Sequence, residues 1–234
     1  MIFTLFKDIV FDVKYPEALI EAYCFQSDFY AKYDLKRPEG DGSFEFVRFI
    51  GTRIEKDTLE KCRTEIDRCR DFGMFKMDLD TFLNQNPQET RDQLISKLAV
   101  LAGNLDDIPG VGFSKATKIL HTRYPKIIPI IDNPLQKEYK RLAKEQKREW
   151  KRDYWYQLLK DYYDNFLEKE TFDNLDRLHT SLSFLKLTKV RIFDILWWSF
   201  LKSKNQDYKN VKWRTIEQLD YIHNKVENKN LKAL

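Results

Sequence analysis

Residues 89–120 constrain this chain more than any other stretch. Leu94, Ile95, Leu98, Leu101, Ala102 and Leu105 recur at threes and fours, which places them on one face of a helix. The pattern must stop before Pro109, because the residue ahead of a proline is biased away from helical geometry. Gly110-Val111-Gly112 follows, and Ala116, Ile119 and Leu120 then supply the packing side of a second helix. The spacing predicts helix, short glycine hairpin, helix.

Beyond Tyr124-Pro125 comes an apolar run, Ile127, Ile128, Pro129, Ile130 and Ile131, ending at Asp132. Asn133-Pro134 then opens a long helical pattern in which Leu135, Tyr139, Leu142, Ala143, Gln146 and Trp150 share one side. Lys137, Lys140, Arg141, Lys144, Lys147, Arg148, Lys151 and Arg152 fall within about 140° on the other side at about 100° per residue. Residues 110–160 carry 13 basic and 5 acidic side chains, whereas residues 1–109 carry 15 basic and 21 acidic. A basic segment on an otherwise acidic body can focus a polyanion onto one face. A solvated helix face with Glu–Arg pairs such as Glu145 and Arg148 explains the same residues.

Elsewhere the pattern predicts a helix over 16–34 starting at Pro16, a turn-rich break at 37–46 and a helix over 54–70. An irregular stretch is expected over 71–88, an aromatic-rich segment at 154–168 and a buried helix over 189–202 that is apolar nearly all round. Phe44, Phe46, Val47, Phe49 and Ile50 fit a strand or a buried helix equally. A last docked helix is expected in the basic tail around Trp213, Ile216 and Leu219. The fold expectation is all-α or mainly α. Residues 1–90 form an N-terminal helical segment, either a lobe of the same fold or an appended surface; residues 91–202 form the core, and 203–234 a basic C-terminal helix and tail.

With three cysteines, one stays unpaired even if two bridge, which argues against a secreted disulfide scaffold. No uncharged apolar run reaches membrane-spanning length, and the first residues do not have the form of a signal peptide. The expected address is the reducing cytoplasm, with no membrane partner. His121, His179 and His223 match no metal-ligand spacing, and Cys62 and Cys69 lack companion ligands. Neither a metal nor a cofactor is expected. No Walker loop, dinucleotide fingerprint or nucleophile elbow is present.

A glycine hairpin opening a helix presents backbone N–H groups that can converge on a phosphate oxygen, and the helix dipole adds to the attraction. Gly110, Val111, Gly112 and Ser114 would supply that surface, with Lys115, Lys118, Lys137, Arg141, Lys144 and Arg148 beside it. Such contacts position a nucleic-acid backbone without reading its sequence. A plain turn between two helices is the alternative.

Residues 108–120, IPGVGFSKATKIL, resemble the helix-hairpin-helix motif of the DNA glycosylases related to endonuclease III and the 3-methyladenine glycosylases. In that superfamily an essential aspartate follows the second helix at the start of another. Ile130-Ile131-Asp132 resembles that segment, 22 residues beyond Gly110. The usual Asp-Thr-His-Val continuation reads Asp132-Asn133-Pro134-Leu135 here. The Schiff-base lysine position of the lyase-type members holds Ser114, and Lys115 is rotated by about 100° from it. All three cysteines precede the hairpin, so the superfamily's iron–sulfur ligand set is absent. The resemblance therefore implies DNA binding and a monofunctional glycosylase, with Asp132 stabilising an oxocarbenium-like sugar. A second resemblance, carried by SKATKIL, PKIIPIID and LTKVRIFDILWW, is to an uncharacterised bacterial domain family and implies shared architecture without an activity.

A flipped base needs an aromatic or apolar pocket, for which Tyr139, Trp155 and Trp198 are the candidates. Asp132 has a second explanation, since an aspartate at a helix start caps it for about 1 kcal/mol. The alternatives are a non-catalytic nucleic-acid-binding module on the same scaffold and a helical protein-interaction domain.

Overall fold

The computed structural model describes residues 1–5, 9–26, 54–68, 77–84, 88–145 and 154–204. The break at 37–46, the apolar stretch 44–50, Cys69, Arg148 with its neighbours, and the tail around Trp213 lie outside the described residues.

The architecture is mainly helical. Strands β1 (Ile2–Leu5) and β2 (Ile9–Asp12) pair antiparallel, with Phe3 opposite Phe11. The helices follow: α1 (Pro16–Gln26), α2 (Lys56–Arg68), α3 (Leu79–Leu83), α4 (Gln88–Asp106), α5 (Gly112–Arg123), α6 (Asn133–Glu145), α7 (Tyr154–Asp164), α8 (Lys169–Ser181) and α9 (Lys189–Lys204). Short 3-10 turns at Asn165–Leu167 and Ser183–Leu185 join α7 to α8 and α8 to α9.

Three of these elements differ from expectation. The β1–β2 hairpin was not foreseen, because four-residue strands are too short to separate alternation from a helical stripe. The stretch expected to be irregular contains α3, whose start is fixed locally: the Asp78 Oδ1 accepts the Thr81 N–H at 2.8 Å. Helix α8 buries only Thr171, Asn174, Leu175 and Leu178, two of them polar, so its stripe is weak in the sequence.

Helix α9 runs through the centre. Val190, Ile192, Phe193, Ile195, Leu196 and Trp197 are all buried, as the all-round apolar pattern requires. Phe193 meets Tyr162 and Phe166 edge-on at 5.7 and 4.9 Å. The N-terminal hairpin belongs to this same core: Phe11 lies 6.5 Å from Phe193 and stacks on Phe200 at 4.7 Å. Backbone groups tie the hairpin to α8, where the Asn174 side chain donates to the Ile2 carbonyl and the Thr4 N–H donates to Thr171. Helix α4 packs on α7 and α5 through Leu94, Ile95, Leu98, Leu101, Ala102 and Leu105, the predicted face.

Cys24 and Cys62 are buried free thiols. Burial pushes the Cys62 thiol up to about 11, which makes it an inert packing group.

Candidate functional site

Gly110 and Gly112 adopt φ of 87° and 66°, left-handed geometry that side chains disfavour. The Val111 N–H donates to the Ile108 carbonyl at 3.0 Å and closes the turn, while the Val111 side chain is buried. Both glycines are exposed, with open space where a side chain would stand. The turn rests on aromatic support from behind: Phe113 stacks on Trp155 at 4.3 Å and contacts Tyr154 at 5.4 Å. Trp155 also donates to Asp106 at the end of α4. The Lys115 ammonium folds back onto the Gly110 carbonyl at 2.6 Å.

Residues 127–131 pass between helices without strand partners. Their backbone polar groups are buried and need partners; the Tyr124 carbonyl takes the Ile127 and Ile128 N–H groups, and side chains supply the partners that follow. Tyr163 donates to the Ile127 carbonyl at 2.8 Å, and His121 Nδ1 lies 2.6 Å from the Ile128 carbonyl. The Ile130 N–H donates to Asp194 Oδ2 at 2.8 Å. Thr117 Oγ1 bridges both Ile131 groups, donating to its carbonyl at 3.0 Å and facing its N–H at 3.2 Å. Helices α5, α7 and α9 thereby hold the segment that ends at Asp132.

Asp132 caps α6 and also faces a cavity. Its Oδ1 accepts the Leu135 N–H and its Oδ2 accepts Trp198 Nε1–H, each at 3.2 Å. The cavity encloses about 210 Å³ and is lined by Tyr23, Lys118, Ile130, Asp132, Leu135, Arg191, Asp194, Ile195 and Trp198. Tyr23 meets Trp198 edge-on at 5.6 Å. The Arg191 guanidinium lies over the Tyr23 ring at 5.4 Å and donates to its hydroxyl at 3.0 Å.

The two carboxylates of this cavity differ in environment. Burial pushes the Asp194 carboxyl up to about 7, against the opposing pull of Arg191, the Ile130 N–H and the Tyr162 hydroxyl. Asp132 is half-buried, with neutral donors on both oxygens. Lys118 is held below the ordinary lysine range first by burial and then by Arg191, with Asp132 acting in the other direction.

The predicted site residues therefore separate into three groups. Asp132, Trp198 and Lys118 line the cavity. Gly110, Val111, Gly112, Ser114 and Lys115 form the hairpin and first turn of α5. Lys137, Arg141 and Lys144 are exposed on α6, where Arg141 is bound by Glu138 and Glu145. Trp155 supports the hairpin instead of the cavity. Tyr139 is buried in α6 and donates to Asp161 Oδ2 at 2.7 Å. Neither is among the cavity-lining residues.

Tyr23, Arg191 and Asp194 went unrecognised in the sequence. Arg191 and Asp194 interrupt an otherwise apolar helix, and charged residues at buried helix positions are the signal that could have found them. Among the described residues no group of three or more His, Cys, Asp or Glu could hold a metal, and no helix is long and apolar enough to cross a membrane.

No curated protein and no solved structure matches the chain. Residues 74–201 match DUF6308, a family of unknown function, and include the hairpin, Asp132 and most of α9; with more than half of its 234 residues covered, the chain belongs to that family.

Proposed function

We propose that this protein binds DNA through its glycine hairpin and hydrolyses the N-glycosidic bond of a nucleotide flipped into the Asp132 cavity. One observation carries the reading. A single helix, α5, has the exposed hairpin at its start and cavity-lining Lys118 on its side, while Thr117 anchors the segment that delivers Asp132. A backbone gripped at the hairpin would lie next to a cavity with a carboxylate at its rim.

In this reaction the Asp132 carboxylate faces C1′ as the base departs and stabilises the positive charge growing on the sugar. It also orients water, whose oxygen bonds to C1′ while its proton leaves with the base. Trp198 and Tyr23 supply the aromatic wall that an extruded nucleotide requires. Ser114 stands at the position where the lyase-type members of the glycosylase superfamily that residues 108–120 resemble carry their lysine, which supports hydrolysis by water.

A second reading, a nucleic-acid-binding module without chemistry, is favoured by the bond from Asp132 to the Leu135 N–H, because capping alone accounts for an aspartate there. Fluorescence anisotropy across a salt series separates the readings, comparing an intact duplex with one carrying a cationic abasic-site analogue. The glycosylase predicts at least tenfold preference for the analogue, about 1.4 kcal/mol. Asp132→Asn, which still caps α6, should abolish the preference. Equal salt-sensitive binding to both duplexes identifies the module. Binding to neither leaves the hairpin a structural turn and favours a helical protein-interaction domain.

A further inference from the structure

The cavity's carboxylates and cations are unevenly matched. Both Asp132 oxygens accept from neutral donors, the Leu135 N–H and the Trp198 indole. Both Asp194 oxygens do the same, accepting from Ile130 N–H at 2.8 Å and the Tyr162 hydroxyl at 2.9 Å. Lys118 and Arg191 line the same cavity from α5 and α9. Arg191 is engaged by the ring and hydroxyl of Tyr23. Among the described residues no side-chain hydrogen bond or ion pair holds the Lys118 ammonium; Asp132 acts on it through charge alone, and Arg191 repels it.

Removing an ammonium from water beside a guanidinium is costly unless an anion compensates. The geometry points to an oxyanion subsite in this cavity, where Lys118 and Arg191 bind the phosphate of a nucleotide whose sugar lies against Asp132 and Trp198. The cavity holds the equivalent of roughly seven waters at about 30 Å³ each, room for a phosphate and the pentose bonded to it. This deepens the proposed function, naming the sugar-phosphate as the recognised part, but the subsite does not depend on a grip at the hairpin.

Isothermal titration calorimetry on the full chain tests it with three probes: thymidine 5′-monophosphate, inorganic phosphate and thymidine. The monophosphate and inorganic phosphate should bind, and thymidine should bind at least tenfold more weakly than its monophosphate. A monophosphate at least tenfold tighter than phosphate identifies a nucleotide as the ligand; equal affinities identify free phosphate at the same subsite. Lys118→Gln should weaken both anions tenfold or more, and Lys118→Arg should retain them, which separates loss of charge from loss of fold. Thymidine binding as tightly as its monophosphate, an unchanged Lys118→Gln, or no heat with either anion overturns the subsite. Failure to bind duplex DNA overturns the proposed function alone, and loss of anion binding with DNA binding retained overturns the subsite alone.

Discussion

Asp194 is 1% exposed and joins two parts of the molecule through its two oxygens, the Ile130 N–H and the Tyr162 hydroxyl. Its carboxyl is pushed up to about 7 from an ordinary 3.8 by burial. Between those values the folded chain holds a proton on this group that the unfolded chain has lost. The contribution of Asp194 to stability is therefore complete below the unfolded value and declines as pH rises toward 7. Asp194→Asn keeps an acceptor for the Ile130 N–H and removes the titration. Urea unfolding from pH 4 to pH 8 should show wild type losing stability relative to Asp194→Asn across that window. Parallel pH profiles for the two proteins would contradict this.

The element with the least regular structure is also the one that places Asp132. Residues 127–131 form neither helix nor ladder; the Ile127 and Ile128 N–H groups donate to the Tyr124 carbonyl, and the side chains of Thr117, His121, Tyr163 and Asp194 supply further partners. The Thr117 hydroxyl serves both polar groups of Ile131, so an apolar isostere leaves them buried without partners. Thr117→Val should cost about 1–3 kcal/mol in urea unfolding. It should also weaken binding to the abasic-analogue duplex more than to the intact one, because the lost partners are those of Ile131, the residue before Asp132. The apolar run and terminal aspartate were legible in sequence. Their anchoring was not, since the partners are spread over three helices, α5, α7 and α9.

At the scale of the whole molecule, the N-terminal strands and α1 share the core with α8 and α9. The family match begins at residue 74, yet Tyr23 of α1 completes the cavity wall and Phe11 packs on Phe200. Phe11→Ala should destabilise the protein by about 3–5 kcal/mol, with a single unfolding transition followed by circular dichroism. A loss below about 1 kcal/mol, or two separate transitions, would mean that the strands are an appendage.

Local signals determined the helical class, the faces of α4 and α9 and the glycine hairpin. They also located the Asp132 segment, because each rests on short-range periodicity, proline geometry or positive φ. Tertiary structure decided which side chains meet. Lys118 came to line the cavity, Trp155 became the support of the hairpin, and Tyr23 arrived from about a hundred residues away. A site assembled from α1, α5, α9, the segment before α6 and the first turn of α6 has no single period or spacing to read. It exists only once the burial of α9 has drawn those elements together.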